Sequence, residues 1–262
     1  MEKVSIIGCG WLGFNLAQAL LKEGYDVLGS TTTEGKTEAL AKAGITPFLF
    51  RLEPMPTGNS FQVLFSSATL IINIPPASRK NPSAYYREQI KYLKYLLQGN
   101  QEVKRVIFIS STSFYPNVDH SVDENTPFDI EKGSNQAVVW AEQEISEIQQ
   151  DLVILRCGGL MGDDRIPGRY FAGKATNGKL NPTNYIHRDD VIREIKGLLQ
   201  TKAWPNIKNL VHPAHYTREE IMTVMAKKYA FDAPLWEEPH HQSTKIVNSI
   251  HDLGQLIDPL TY

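Results

Sequence analysis

The sequence predicts an α/β fold: a doubly wound parallel sheet with helices on its faces, followed by a smaller C-terminal lobe. Three observations predict it. The chain opens on a short apolar strand, Val4 to Ile7, that runs into Gly8-x-Gly10-x-x-Gly13 and then into a segment of helical period. Short apolar runs then alternate with amphipathic segments. One of these runs, Ala68 to Ile74, is apolar almost throughout, as a strand covered on both faces should be.

The opening unit carries the most chemistry. Gly8 permits a tight turn, Gly10 lets the backbone approach a pyrophosphate with no Cβ in the way, and Gly13 lets the helix pack closely on the strand. The helix follows from the periodic segment Trp11, Leu12, Phe14, Leu16, Ala17, Leu20 and Leu21, and the free N–H groups of its first turn would face phosphates. This strand, glycine turn and helix mark a Rossmann-type dinucleotide site whose expected contacts are Gly8, Gly10, Trp11, Leu12 and Gly13. Gly24 ends the helix, and Tyr25 to Ser30 reads as the second strand. Its tip is where the adenine ribose lies in such a unit, and an Asp or Glu there would hold the 2′-hydroxyl of NAD. Here the tip is Ser30-Thr31-Thr32-Thr33, with Glu34 late and Lys36 following. Hydroxyls with a lysine suit a 2′-phosphate, which an adjacent carboxylate would repel, so Ser30, Thr31, Thr32 and Lys36 favour NADP, with NAD as the alternative cofactor. A helix cap with solvated side chains is the plain structural explanation of the same residues.

Thr37 to Ala43 reads as a short helix and Ile45 to Phe50 as the third strand; Glu53 to Gly58, rich in Pro and Gly, reads as a loop. The fourth strand, Ala68 to Ile74, is stopped by Pro75-Pro76, and Ile74 and Pro75 are expected beside the dinucleotide. A helix from Pro82 to Gln98 carries Tyr85, Tyr86, Tyr92 and Tyr95 as packing residues. The fifth strand, Val103 to Ser110, brings Ser110 to the cofactor and leads into Ser111 to Pro116, at the carboxyl end of the sheet where ligands collect. Tyr115 is expected at the mouth of that site as a candidate acid or base. A helix from Ser134 to Gln150 and a sixth strand from Leu152 to Cys157 complete the sheet. The expected division is a dinucleotide-binding domain over 1–160 and a substrate lobe over 161–262, interwoven with the sheet.

Composition narrows the classes. Of 262 residues, 42% are hydrophobic and 21% charged, which excludes wholesale disorder. The net charge of -2, with no basic block, speaks against nucleic acid or an anionic membrane as main partner. Cys9 and Cys157 each sit beside glycine and read as small buried residues, not as a disulfide. No apolar run approaches the roughly 18 residues of a membrane span, and no secretory signal pattern opens the chain, so a soluble cytoplasmic protein is expected. A homodimer is compatible with this sequence. His187, Asp189 and Asp190 begin a helix to Gln200, and Thr217-x-x-Glu220 caps another to Tyr229. His212, His215 and the pair His240-His241 could suggest a metal, but no cysteine and no zinc-type spacing supports one, so solvent or loop packing is expected and no metal.

Three segments resemble one superfamily, the short-chain dehydrogenases/reductases. Ile109-Ser-Ser-Thr-Ser-Phe-Tyr115 resembles its S-S-x-x-V-Y-G segment, Leu155 to Arg165 its L-R-x-x-G-x-Y-G-P-G-R segment, and Ile186-His-Arg-Asp-Asp-Val191 its V-H-V-D-D-V segment. With the N-terminal glycines and Pro167 to Lys174, the chain is similar to the extended and atypical branch, the YeeZ-like subgroup of NAD(P)-binding epimerase/dehydratase-type proteins. The tail from Lys245 resembles the family's K-x-x close. The resemblance implies a Rossmann domain with a substrate lobe, a nicotinamide cofactor and a catalytic serine at Ser111. It would put the family's Tyr-x-x-x-Lys pair on Ser134 and Val138, with a trailing glutamate at Glu142. A tyrosine of ordinary pKa, about 10, serves as a base near neutrality only with a cation close by. Ser134 and Val138 supply neither. One other Tyr-x-x-x-Lys occurs, Tyr170 to Lys174, where Gly173 argues against a helix that would align the two side chains. In the segment that the family uses for substrate, Arg165, Arg169 and Lys174 could hold a phosphorylated or carboxylated ligand, or be ordinary surface charge.

Two functions follow. One is an oxidoreductase or epimerase acting on a small polar, sugar-nucleotide-like substrate, with Ser111 polarising a carbonyl and Tyr115 or water as acid. The other is a binding protein that keeps the dinucleotide site without the chemistry and reports cofactor level or redox state.

Overall fold

Strand and helix alternate from the N-terminus in the computed structural model, which describes residues 2–76, 81–237 and 244–262. The first half comprises β1 (Lys3–Ile7), α1 (Trp11–Lys22), β2 (Asp26–Thr31), α2 (Thr37–Lys42), β3 (Thr46–Leu52), β4 (Pro56–Gly58), β5 (Thr69–Ile72), α3 (Ser83–Leu97) and β6 (Arg105–Ser111). Next come β7 (Ser121–Val122), α4 (Gln136–Ile145), β8 (Asp151–Cys157), β9 (Gly159–Met161), β10 (Ala175–Thr176) and β11 (Tyr185–His187). The chain closes with α5 (Arg188–Gln200), β12 (Ile207–Leu210), α6 (Arg218–Lys228), β13 (Leu235–Trp236) and β14 (Ile246–Val247).

Eight strands form one sheet in the order β12-β8-β6-β5-β1-β2-β3-β4. β1 pairs in parallel with both β2 and β5, with Ile6 opposite Gly29 on one side and Ile71 on the other. From β1 the chain builds outward through β2 and β3, then returns to β1's other edge with β5. The strand order therefore reverses beside β1, and the carboxyl ends of β1 and β5 flank the crevice that such a reversal creates. This is the doubly wound parallel architecture that the sequence predicts.

The chain divides into two compact units, each assembled from separate stretches. The first comprises Met1–Ser110, Asn135–Leu155 and Ile195–Ile207, and the second Ser111–Ser134, Arg156–Glu194 and Lys208–Tyr262. The backbone passes between the units several times.

The core of the first unit follows from its periodicities. Leu70, Ile71 and Ile72 of β5 are fully buried. α3 turns Tyr86, Ile90, Leu93 and Leu97 inward at three- and four-residue spacing, into the same cluster as Ala137, Ala141 and Ile145 of α4. Each large side chain so buried contributes about 1.5–3 kcal/mol. An ion pair reinforces this helix contact: buried Glu144 accepts from Lys94 Nζ at 2.6 Å and from Arg87 Nε at 2.8 Å. Burial pushes the Glu144 carboxyl upward, but hydrogen bonds from Lys94 and Arg87, with their charges, outweigh it and hold the group below its ordinary value.

The second unit is organised around a buried polar knot. Tyr115 is fully buried; its hydroxyl donates to Asn209 Oδ1 at 3.0 Å and accepts from Arg156 Nη1 at 2.9 Å. The Arg156 guanidinium lies 3.5 Å from the centre of the Phe114 ring. Glu124 accepts from the backbone N–H of Asn209 at 2.7 Å and of Ile250 at 2.9 Å, and from Ser249 Oγ at 2.9 Å. Three two-stranded parallel pairs, β9 with β11, β10 with β13 and β7 with β14, belong to this unit.

Two elements differ from the sequence expectation. Glu53 to Gly58 is not merely a loop: β4 pairs antiparallel with β3, Arg51 facing Thr57 and Leu52 facing Pro56. Pro56 is tolerated because β4 is the sheet edge. The helix expected to reach Gln150 stops at Ile145, where Ser146 Oγ bonds back to the Glu142 carbonyl at 2.7 Å.

Candidate functional site

The glycine turn is built as its spacing requires. Gly8 has φ +101°, and a Cβ on it would lie 2.2 Å from the Asn73 carbonyl oxygen. A Cβ on Gly13 would lie 2.2 Å from the Gly8 carbonyl oxygen, so helix and strand touch through this residue. Gly10 is different: a Cβ there meets nothing within 4 Å, so its backbone borders open space. Two strands clamp the turn. Gly8 N–H donates to Ser30 Oγ at 2.9 Å, and Asn73 Nδ2 donates to the Gly8 carbonyl at 2.9 Å.

Gly10 is the N-cap of α1, with no side-chain cap and no acidic residue in the first turn. The partial positive charge of the helix start is therefore not offset locally by a carboxylate. Trp11 is half-buried, whereas Leu12 and Gly13 are buried. The turn thus offers peptide N–H groups to an anion and leaves room for one at Gly10. Cys9 adds no thiolate: burial, opposed by a hydrogen bond with the Ser30 backbone, pushes its thiol up to about 12.

Beside the turn is a cavity of about 610 Å³ within the first unit. Gly8, Ser30, Thr31, Thr32, Ile74 and Pro75 line it, six residues that the sequence assigns to the cofactor. Arg51 and Glu53, beyond Phe50 on β3, and Tyr85 and Gln89 of α3 complete much of its wall. Tyr85 and Gln89 both donate to the Leu52 carbonyl, at 3.3 and 2.6 Å, fixing β3 against α3.

Several expectations require correction. Lys36 is exposed in a 3-10 turn, Glu34–Lys36, and is not among the lining residues. The cation in the wall is Arg51, whose Nε donates to the Thr32 carbonyl at 2.8 Å. The Ser30 hydroxyl already accepts from Gly8 N–H, and Ser110 Oγ donates to the buried carboxylate of Glu142. Tyr115 does not stand at a mouth: its side chain is in the knot described above, and burial, opposed by Arg156 and Asn209, raises its pKa.

Apart from Val138, the remaining candidates lie in the second unit. Ser111 caps the 3-10 turn Thr112–Phe114, its Oγ accepting from Ser113 N at 3.2 Å and lying 3.1 Å from Ser113 Oγ. Ser134 Oγ donates to the Ser113 carbonyl at 2.8 Å. Val138, which belongs to the first unit, is buried. Arg165, Arg169 and Lys174 are all exposed. Arg165 closes a tight turn with Gly162, Arg169 lies 5.6 Å from the Phe231 ring centre, and Lys174 Nζ donates to the Tyr170 carbonyl at 3.0 Å. Tyr170 to Lys174 forms no α-helix; Arg169–Phe171 is a 3-10 turn and Gly173 has φ +65°. His212 Nδ1 accepts from Ala214 N–H at 3.0 Å, and His215 Nδ1 lies 3.1 Å from the Thr183 carbonyl. His240 and His241 lie outside the described residues. Among the described residues, no helix is long and apolar enough to cross a membrane.

Sequence reasoning missed Arg51 and Glu53. Their signal was a pair of charges at the carboxyl end of the apolar run Phe48-Leu49-Phe50, beyond the point where periodicity ended the strand.

Comparison with known proteins places this geometry. The sequence profile of the NAD dependent epimerase/dehydratase family matches residues 4–195. Protein YeeZ of Escherichia coli (strain K12) is 34% identical over 238 residues, spanning 89% of this chain and 86% of that protein. UDP-glucuronic acid 4-epimerase from Bacillus cereus, solved in complex with NAD, is similar in structure with TM-score 0.71 and 17% identity, over 94% of this chain and 90% of that one. WbmG of Bordetella bronchiseptica, also solved with NAD, gives TM-score 0.74 and 14% identity, over 94% of this chain and 84% of that one. At such identities the two solved structures speak for the fold, while the profile match speaks for ancestry: the chain belongs to the NAD-dependent epimerase/dehydratase family.

Proposed function

We propose that this protein binds a nicotinamide dinucleotide and acts as an oxidoreductase or epimerase on a small polar, sugar-nucleotide-like substrate. The observation that carries the reading is the contrast among the three glycines: Gly8 and Gly13 are required by the fold, whereas Gly10 borders open space at an uncapped helix start. A diphosphate fits such a cradle, with Leu12 and Gly13 offering main-chain N–H groups, Trp11 beside them, and Gly10, whose own N–H donates to the Gly8 carbonyl at 2.8 Å, contributing clearance. Bound there, the nicotinamide would supply or accept hydride. Thr31, Thr32 and Arg51 face the adenosine half, and Arg51 makes NADP the favoured form because a guanidinium pairs with a 2′-phosphate. Glu53 lines the same cavity and tempers that preference. Ser111 is assigned to polarising a substrate carbonyl, and Arg165, Arg169 and Lys174 to the substrate's anionic groups.

A second reading is a dinucleotide-binding protein without turnover, favoured by Ser134 and Val138 at the positions of the family's Tyr and Lys. Titration of the protein with NADPH and NADH, followed by a turnover screen over nucleotide-diphosphate sugars, tests both. The first reading requires binding and turnover, the second binding alone, and absence of binding removes both.

A further inference from the structure

The strand end that carries Arg51 and Glu53 overhangs its inner neighbour. β2 and β3 stay in register as far as Thr31 opposite Leu49, and Arg51, Leu52 and Glu53 run on beyond that pairing. On the outer side β4 faces the overhang, but Pro56, opposite Leu52, has no N–H to donate. Alternation along the chain buries the Leu52 side chain and leaves Arg51 and Glu53, two residues apart, together in the wall of the cavity beside the glycine turn.

Side chains of α3, in the same unit, hold this overhang. Gln89 Nε2 donates to the Leu52 carbonyl at 2.6 Å, and the Tyr85 hydroxyl donates to the same oxygen at 3.3 Å. One carbonyl thus takes two donors, and the shorter bond is that of Gln89. α3 is a firm base for both. Tyr86 and Ile90 are buried in the core, and the Tyr86 hydroxyl donates at 2.9 Å to the carbonyl of Ile74, another residue of the cavity wall. From the other direction Arg51 Nε donates to the Thr32 carbonyl at 2.8 Å and ties the overhang to the tip of β2. The peptide that Gln89 grips joins Leu52 to Glu53, so it fixes the lean of the strand end that bears both charges. That lean matters, because a 2′-phosphate is drawn by the guanidinium and repelled by the carboxylate, and both forces change with distance.

We propose that Gln89 is a positioning residue for cofactor choice: by holding the Leu52 carbonyl it keeps the Arg51 guanidinium in reach of a 2′-phosphate, and so sets the preference for NADPH over NADH. The proposal rests on the dinucleotide reading above, with Arg51 as the partner of the 2′-phosphate. Gln89 acts through Arg51, and its own removal releases the strand end without taking a charge out of the cavity.

The test is a double-mutant cycle read as a ratio of affinities. Dissociation constants for NADPH and NADH are measured by isothermal titration on full-length wild type, Gln89→Met, Arg51→Ala and the double variant. Methionine is similar to glutamine in length and removes the donor without adding charge. Gln89→Met is expected to lower the preference for NADPH roughly fivefold, the scale of one neutral hydrogen bond. In the Arg51→Ala background the same replacement is expected to leave the ratio where Arg51→Ala put it, because the group it positions is gone. Tyr85→Phe removes the longer bond and is expected to move the ratio the same way by about twofold; it is held to the same criteria should Gln89→Met fail to fold. A ratio that Gln89→Met leaves unchanged, both cofactors weakening alike as a merely structural role would have it, overturns the proposal. So does an effect that persists undiminished in Arg51→Ala, which would mean that Gln89 touches the dinucleotide itself. A wild type that binds neither dinucleotide, or an Arg51→Ala ratio equal to that of wild type, removes the underlying reading and the proposal with it, and both results are seen with Gln89 intact.

Discussion

Gly8 and Gly10 stand two residues apart, yet replacing each should produce opposite phenotypes. At Gly8, alanine places a methyl 2.2 Å from the Asn73 carbonyl oxygen at φ +101°. The backbone term alone costs about 1–3 kcal/mol, and relieving the overlap pulls apart the carboxyl ends of β1 and β5. A total of at least about 3 kcal/mol lowers the melting temperature by roughly 6–12 °C in a chain near this size. At Gly10, a Cβ meets nothing within 4 Å, and φ -85° is ordinary for any residue. The cost of valine there is that of a poor N-cap, about 1 kcal/mol or less. The same isopropyl group fills the space assigned to the diphosphate, and a loss of at least about 100-fold in affinity, or about 2.7 kcal/mol, is expected. Differential scanning fluorimetry and isothermal titration with NADPH, on both variants, read the two effects separately. Gly10→Val that melts like wild type and still binds NADPH with wild-type affinity would refute the assignment of the turn.

Arg51→Ala is expected to weaken NADPH roughly tenfold more than NADH, a difference of about 1.4 kcal/mol, while Lys36→Ala leaves the ratio unchanged; equal losses in Arg51→Ala would remove the 2′-phosphate assignment. Tyr115→Phe strips a partner from Arg156 and from Asn209 and should cost about 1–3 kcal/mol in urea melts. A variant with unchanged stability but no turnover would make Tyr115 a catalyst after all. Because folding holds Glu144 below its ordinary 4.5, its contribution is complete above that pH and is lost as pH falls through the lower folded value. Urea melts on either side of pH 4.5 should therefore show a smaller acid loss in Lys94→Met than in wild type.

The sheet, its first two helices and the glycine turn were legible because each depends on neighbours in sequence: β5 is apolar at successive positions, and Gly8, Gly10 and Gly13 act within one turn of chain. The residues lining the cavity beside the turn divide along the same line. Gly8, Thr31 and Ile74 sit at strand ends and line the cavity; Arg51 reaches it only because β3 runs two residues beyond its apolar stretch and pairs with β4. Tyr115 was misplaced because nothing near it in sequence announces Arg156 or Asn209, which are 41 and 94 residues away. The short strands of the second unit, two or three residues long, carry too few positions for a period to register.

Glu124 imposes an order on synthesis. Its carboxylate is made early, but one N–H it finally accepts belongs to Ile250, 126 residues later. At ribosomal speeds that is a wait of roughly 6–25 s, through which the acid stays hydrated. The stretches that make up the first unit have all been synthesised once Ile207 has been added. Nascent chains arrested short of Ile250 should thus present a folded nucleotide-type half joined to a half still missing the donors that neutralise its central acid, and a tag or lesion in the last dozen residues would be felt there and not at the glycine turn.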